Sequence, residues 1–370
     1  QSVPAIFTGL FPDTLGIGPF GSAFTDVVPT LAELAAAVGY RTVLWSQHRV
    51  YEWQHQLQRG FEESRRPSSP RDWEALPEAK DLLSDTRPTL AFVHLVPPHQ
   101  PYTPPTPFFG AYTSWHEGEM PVATVDLRRL ALRPEPPDAV ELRYVRDRYL
   151  ENVAYADHLL GRVLSLLDQQ GRYRETLVVL LSDHGEAFHE HGQFMHRLNV
   201  HREALHVPLI VKWPASVRGF RPEVTQPVSL VDLVPTLVDG LSLGGEDGFQ
   251  GRSLLPLCFE GVSSERALYA MTRGRHLERD GPRPQLMLES GGWRILYRPR
   301  ADEVQLYRVD SDPQERVDLA RELPLRTLLL RQSVLMQSAW NRDLLGVGIP
   351  RADELDPEDR EQLGALGYLN

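Results

Sequence analysis

A 370-residue chain with 41% apolar residues has ample material for a buried core, and its length allows two domains or one large domain with an appendage. Its formal charge of -11 opposes any broad electrostatic grip on nucleic acid or anionic lipid, which carry the same sign. The single cysteine, Cys258, excludes an internal disulfide framework and a cysteine-based zinc site, and no apolar run approaches the roughly 20 residues that span a bilayer.

The chain opens on QSVPAIFTGLF, which has neither an initiating Met nor the basic leader of a signal peptide, and so reads as starting in mid-domain. TLAELAAAVGY (30–40) carries helical spacing and leads into a strand, RTVLWS (41–46). A Pro/Arg-rich stretch around 64–72 separates it from a second strand, TLAFVHLV (89–96). The following segment, PPHQPYTPPTP (97–107), holds six prolines in eleven residues and predicts a stiff loop at the C-terminal end of that strand. Open α/β sheets bind their ligands at such ends.

From 141 to 170, Leu142, Val145, Tyr149, Val153, Ala156, Leu160, Val163 and Leu167 recur at steps of three and four. They predict one long amphipathic helix, closed by Gly171. Strands are expected at 177–182 and at VPLIVKW (207–213), and a short helix at SLVDLVPTLVDGL (229–241), with Asp232 and Pro235 at its entry. After about 262 the runs RALYAMTRG, PQLMLESGG, WRILYRPR and VQLYRVD predict a small antiparallel sheet. The whole predicts an α/β fold with a central sheet flanked by helices (1–261) and a small C-terminal α+β subdomain with its tail (262–370).

LVVLLSDHGEAFHEHGQFMH (177–196) carries the densest chemistry. Five of the 13 histidines lie between 184 and 201. A residue just past a strand points into the crevice, so Asp183 and His184 would be presented together, and a carboxylate beside an imidazole suits a divalent cation. Gly185 lets the backbone turn beside them. A plain turn or helix cap is the competing reading of the same tripeptide. A zincin His-Glu-x-x-His is excluded because Gln193 stands where its second histidine must be, and HRE (201–203) lacks the Pro-Cys-x-x-Cys half of a zinc deaminase.

The run VVLLSDHGEAFHEHGQFMHRLNVHREALHVPLIVKWP resembles the core motif of the sulfatase family in the alkaline phosphatase superfamily. IFTGLFPDTLGIG (6–18), GYRTVLWS (39–46), RGFEE (59–63), FVHLVPPHQPY (92–102), YADHLLGRVLSLL (155–167), VSLVDLVPTLVD, GRSLLPL, VQLYRVDSDPQERVDL (304–319) and LGALGYL agree with it in order. The resemblance implies an alkaline-phosphatase-like α/β/α sandwich and metal-centred cleavage of sulfate or phosphate esters through a covalent hydroxyl-nucleophile intermediate. It makes Asp183 and His184 metal ligands, with Ca2+ as the first choice and Zn2+ or Mn2+ as alternatives. It makes His99 and His196 the groups that contact the sulfuryl or phosphoryl oxygens. The implied substrate is a small-molecule, glycan or lipid ester, with no nucleic-acid partner. A periplasmic, extracellular or membrane-anchored protein is implied, any membrane attachment being encoded upstream of Gln1. His189 and His191 read as loop residues, His94 as a strand histidine with a hydrogen-bonded ring, His201 and His206 as decoration of the helix NVHREAL, and Asp157 as a solvated helix residue.

Departures from the family pattern are equally specific. Counting back from Thr8-Gly9 places the family's nucleophile, and its first strand with paired carboxylates, before Gln1, so an N-terminally truncated and inactive chain is expected. The formylglycine pattern Cys/Ser-x-Pro-x-Arg would put Pro and Arg where Gln1 and Val3 stand. SVPAIFTG instead resembles the run after the threonine nucleophile of phosphoethanolamine transferases, which points to an unmodified Thr or Ser and to phosphoryl transfer as the alternative. A catalytically inactive binding relative is the second alternative. The family's GKWH is replaced by SQHR (46–49).

Overall fold

The computed structural model describes residues 2–17, 28–46, 48, 51, 55–65, 86–118, 120, 122, 124–196, 199–245, 248–262, 265–274 and 284–345. The expected LGALGYL segment, most of the Pro/Arg-rich stretch, and Gln1, Gln47 and Arg49 lie outside these residues.

In chain order, a short helix α1 (Ser2–Thr8) precedes α2 (Leu31–Ala37), β1 (Arg41–Ser46), β2 (Glu63–Arg65) and β3 (Thr89–His94). Helix α3 (Thr124–Leu132) and the 31-residue α4 (Ala139–Gln169) lead to β4 (Val178–Leu181). A hairpin of β5 (Ala187–Phe188) and β6 (Phe194–Met195) and the single turn α5 (Arg202–Leu205) connect to β7 (Leu209–Lys212). Then come α6 (Leu233–Leu241), α7 (Leu255–Phe259), the strands β8 (Leu268–Thr272), β9 (Gln285–Ser290), β10 (Trp293–Arg298) and β11 (Glu303–Arg308), and α8 (Pro324–Asp343).

β1 is the centre of a parallel sheet ordered β2-β1-β3, and all six of its residues are buried. That unbroken burial is expected of a strand covered on both faces, although its residues include the polar Arg41, Thr42 and Ser46. The expected strand at 177–182 forms as β4, but it pairs antiparallel with β7, with Val178 opposite Lys212 and Leu181 opposite Leu209. Among the described residues β3 and β4 each pair on one side only, and Phe92 of β3 and Leu181 of β4 pack against the same core around Ile6, Leu10 and Leu44. The four β-rich runs after 262 form one antiparallel sheet, β11-β10-β9-β8, packed on α8 through Tyr269, Ile295, Leu306 and Val334.

Helix starts follow local chemistry. Thr30 and Glu33 form a capping box on α2, and Asp138 and Glu141 form one on α4. The end of α4 is set by Gly171, whose φ of 68° is left-handed. The apolar periodicity places α4 well yet misjudges its inner face. Val153 is 37% exposed, whereas Arg148, Glu151 and Asn152 are buried. Arg148 and Glu151 pair at 2.6 Å, and Glu151 accepts from Tyr112 N, Thr113 N and Thr113 Oγ1. Asn152 Nδ2 lies 3.3 Å from each of the carbonyls of Pro98, His99 and Pro101. Asn152 stitches the proline-rich loop to the helix, because a loop without internal ladder bonds must satisfy its carbonyls elsewhere, and Glu151 holds the turn at Tyr112 and Thr113 that follows it.

Candidate active site at the end of β4

β4 delivers Asp183 and His184 two and three residues past its paired segment. Gly185 is required there: its backbone N donates to Ala204 O at 2.9 Å, and a Cβ on it would lie 2.0 Å from Glu203 O. The tight approach of α5 fixes the turn. Asp183 Oδ1 and His184 Nε2 sit 3.6 Å apart, with side chains 31% and 30% exposed. Burial opposes ionisation of Asp183, yet the neighbouring His184 and His94 outweigh it and hold the carboxyl below its ordinary value.

Three imidazoles, His99, His184 and His196, converge. His184 stacks on His196 with centroids 3.9 Å apart, and His99 stands edge-on to both at 6.4 Å and 5.0 Å. Each ring commits Nδ1 to an oxygen: His99 to Gln100 O at 2.7 Å, His184 to Gly185 O at 2.8 Å, and His196 to Glu186 Oε2 at 3.4 Å. A carbonyl or carboxylate can only accept, so in each ring it is Nδ1 that carries a proton. The three elements that bring these rings together are the loop after β3, the turn after β4 and the end of β6.

His94, at the end of β3, has Nδ1 2.9 Å from Tyr51 Oη, as expected of a strand histidine with a hydrogen-bonded ring. Burial holds it below its ordinary value, with Asp183 and His184 close enough to act on it. Tyr51 and Glu186 belong to this surrounding shell and were not anticipated. Glu186 had a signal, three residues past Asp183 in the same motif; Tyr51 had none. Asp157 is exposed on α4, in agreement with its reading as a solvated residue.

The reading of His201 as surface decoration fails: it is 3% exposed, with Nδ1 2.6 Å from Glu315 Oε2. His191 is likewise held, between Glu203 and the main chain of Glu315. The donors of His191, His201 and Glu315 lie within 4.8 Å of one another, the one such metal-capable group among the described residues.

A family model described as Sulfatase matches residues 1–242, and one described as N-sulphoglucosamine sulphohydrolase, C-terminal, matches residues 189–332. Arylsulfatase K of Danio rerio is 31% identical over 187 residues, covering 50% of this chain and 35% of that protein. Arylsulfatase K of Homo sapiens is 30% identical over 200 residues, covering 52% and 37%. The matched stretch thus spans about a third of the length of these relatives. The phosphonate monoester hydrolase of Agrobacterium radiobacter superposes with a TM-score of 0.71 at 20% identity, over 92% of this chain and 86% of that one. A structure solved in complex with its substrate D-glucosamine-2-N,6-O-disulfate gives 0.68 at 17% identity, over 92% and 88%. At these identities the likeness concerns the fold, which is alkaline-phosphatase-like. Because the first family model matches residues 1–242, well over half of its length, the chain belongs to the sulfatase family.

Proposed function

We propose that the protein is a divalent-metal-dependent hydrolase of sulfate monoesters, with Asp183 and His184 as metal ligands and His99 and His196 as the groups that hold the ester. The observation that carries this reading is the convergence of Asp183 Oδ1 with His184 Nε2 at 3.6 Å, beside two further rings with Nδ1 already committed. Two donors bonded to one ion at about 2.0–2.4 Å from it stand about 3 Å apart, so this pair fits with little adjustment. An ionised carboxylate and a neutral imidazole fixed by an acceptor on its other nitrogen are the states a metal needs. Bound there, the ion would neutralise ester oxygens and lower the pKa of a hydroxyl nucleophile.

His99 and His196 then act at the sulfuryl group. As imidazolium rings, with Nδ1–H already held by an acceptor, they donate from Nε2–H to its oxygens or pass that proton to the departing oxygen. Glu186 against His196 Nδ1 stabilises the protonated ring and fixes its orientation. No residue of this chain is assigned the role of nucleophile. Residues 1–261 form the catalytic unit in this reading, and 262–370 a subdomain braced against it. A sulfated sugar is the first substrate class to try, since a protein of this fold was solved with D-glucosamine-2-N,6-O-disulfate.

The test is hydrolysis of an aryl sulfate and an aryl phosphate by the protein as its own gene encodes it. Faster turnover of the sulfate is expected, with kcat reduced on the order of 100-fold or more in His99→Ala and in His196→Ala. Preference for the phosphate would replace the sulfatase reading with a phosphoryl one, and unchanged kcat in both variants would overturn the assignment of these histidines.

A further inference from the structure

His191, in the turn between β5 and β6, stacks face to face on His201 at the start of α5, with centroids 3.7 Å apart and planes 5° from parallel. With Glu315 they have the composition of a His2Glu zinc site. The ring geometry opposes that reading. A metal sits near the plane of every imidazole it binds, and two parallel planes at stacking distance share no such point. Both nitrogens of His191 also face acceptors, Nδ1 at 3.0 Å from Glu203 Oε1 and Nε2 at 3.1 Å from Glu315 O. A neutral ring has one N–H, so satisfying both requires the imidazolium.

Glu315 gathers the other side. Its Oε2 accepts from His201 Nδ1 and, at 3.3 Å, from Arg202 N, while Arg294 of β10 holds Oε1 and also pairs with Glu289 of β9. Glu315 follows β11, so the C-terminal sheet grips both histidines. From there the contacts continue: Glu203 and Ala204 of α5 press on Gly185, whose place allows no side chain, and Gly185 sits beside His184.

We propose that His191, held as the imidazolium between Glu203 and Glu315 and stacked on His201, forms a latch through which the C-terminal sheet positions the Asp183–His184 turn. The latch stands on this geometry alone; its effect on turnover rests on the functional reading above. The groups around His191 are Glu203 from α5, Glu315 after β11, and the stacked His201, with Arg202 and Arg294 on Glu315 and His206 near both arginines. The bond to Glu203, chiefly, lifts His191 to about 9 from an ordinary 6.5. A histidine raised in this way stabilises the folded chain in full below pH 6.5 and loses that contribution as pH rises through about 9.

Two measurements test it. Ring-proton NMR of residues 1–370 should show His191 titrating near 9, falling toward 6.5 in Glu203→Gln, and melting temperature should drop between pH 7 and 9.5 more in the wild type than in His191→Gln. In the active protein, a kcat limb with the same midpoint should disappear in His191→Gln and shift downward in Glu203→Gln. A wild-type His191 titrating at or below 6.5, or parallel melting curves, would overturn the latch. Stoichiometric Zn2+ binding that broadens both ring signals would overturn it in favour of a metal site. Because titration and melting need no substrate, a failed assay for sulfate hydrolysis leaves the latch to be judged by itself, and a latch without the kcat limb removes only its positioning role.

Discussion

At the scale of single residues, the strictest demand in the site falls on the smallest side chain. A methyl group on Gly185 would meet Glu203 O at 2.0 Å, a backbone atom that cannot swing aside. Gly185→Ala must therefore push α5 away or move the Asp183–His184 turn. A loss on the order of 3 kcal/mol is expected, read as a melting temperature several degrees lower, together with weaker metal binding by calorimetry. A variant that melts and binds as the wild type would show that α5 does not hold the turn. Asp183 and His184 could be placed together from sequence because both follow a recognisable strand, whereas His99 and His196 were joined to them only through the resemblance to the sulfatase family. The partners of His191 and His201 could not be anticipated from sequence. Glu315 lies 114 residues beyond His201, and nothing local to a histidine reveals a carboxylate brought in by another sheet.

Among the elements, strands were the most legible, since runs such as RTVLWS and WRILYR centre on apolar, β-branched or aromatic residues, Val43-Leu44-Trp45 and Ile295-Leu296-Tyr297, that are buried. Their pairing was less so: nothing in LVVLL says that its neighbour β7 runs antiparallel. Helix α8 escaped the sequence reading because its apolar residues do not form one stripe, with Leu325, Leu329 and Met336 at 77%, 69% and 71% exposure while Val334 is fully buried. Polar side chains on the buried face of α4 hid for the opposite reason, as charged and amide residues are normally assigned outward. Asn152 is the one with consequences for function, for its amide lies against three carbonyls of the loop that carries His99. Asn152→Ala should cost about 1–3 kcal/mol in thermal unfolding. It should also lower kcat by roughly tenfold or more through loss of His99 placement, while Val153→Ala on the exposed face changes neither. Equal effects of the two substitutions on kcat would show that α4 does not set the position of His99.

Across the whole molecule, the early turn after α1, the C-terminal sheet and α8 meet at one buried carboxyl. Asp13 is 3% exposed and accepts from Tyr269 Oη at 2.7 Å, Asn341 Nδ2 at 3.0 Å and Ser338 Oγ at 3.3 Å, partners more than 250 residues away in the chain. No local sequence pattern marks it, because its donors are supplied by Tyr269, Ser338 and Asn341. Burial is the dominant influence on Asp13 and lifts it above its ordinary 3.8, despite the hydrogen bonds that pull the other way. The folded state therefore holds this proton more tightly than the unfolded chain does. Its contribution is most favourable below pH 3.8 and declines as pH rises through the elevated folded value, the reverse of a salt-bridged carboxylate. Asp13→Ala removes an acceptor from three donors and should cost about 2 kcal/mol or more at neutral pH. Asp13→Asn keeps one acceptor oxygen and cannot ionise, so it should cost less than the alanine variant, and its deficit relative to the wild type should shrink as pH rises from 3.5 to 7. Denaturant unfolding of the three proteins across that range gives the answer. A deficit that instead grows with pH would mean that Asp13 is stabilised as the anion, and that its donors, rather than burial, govern how the two ends of the chain are joined.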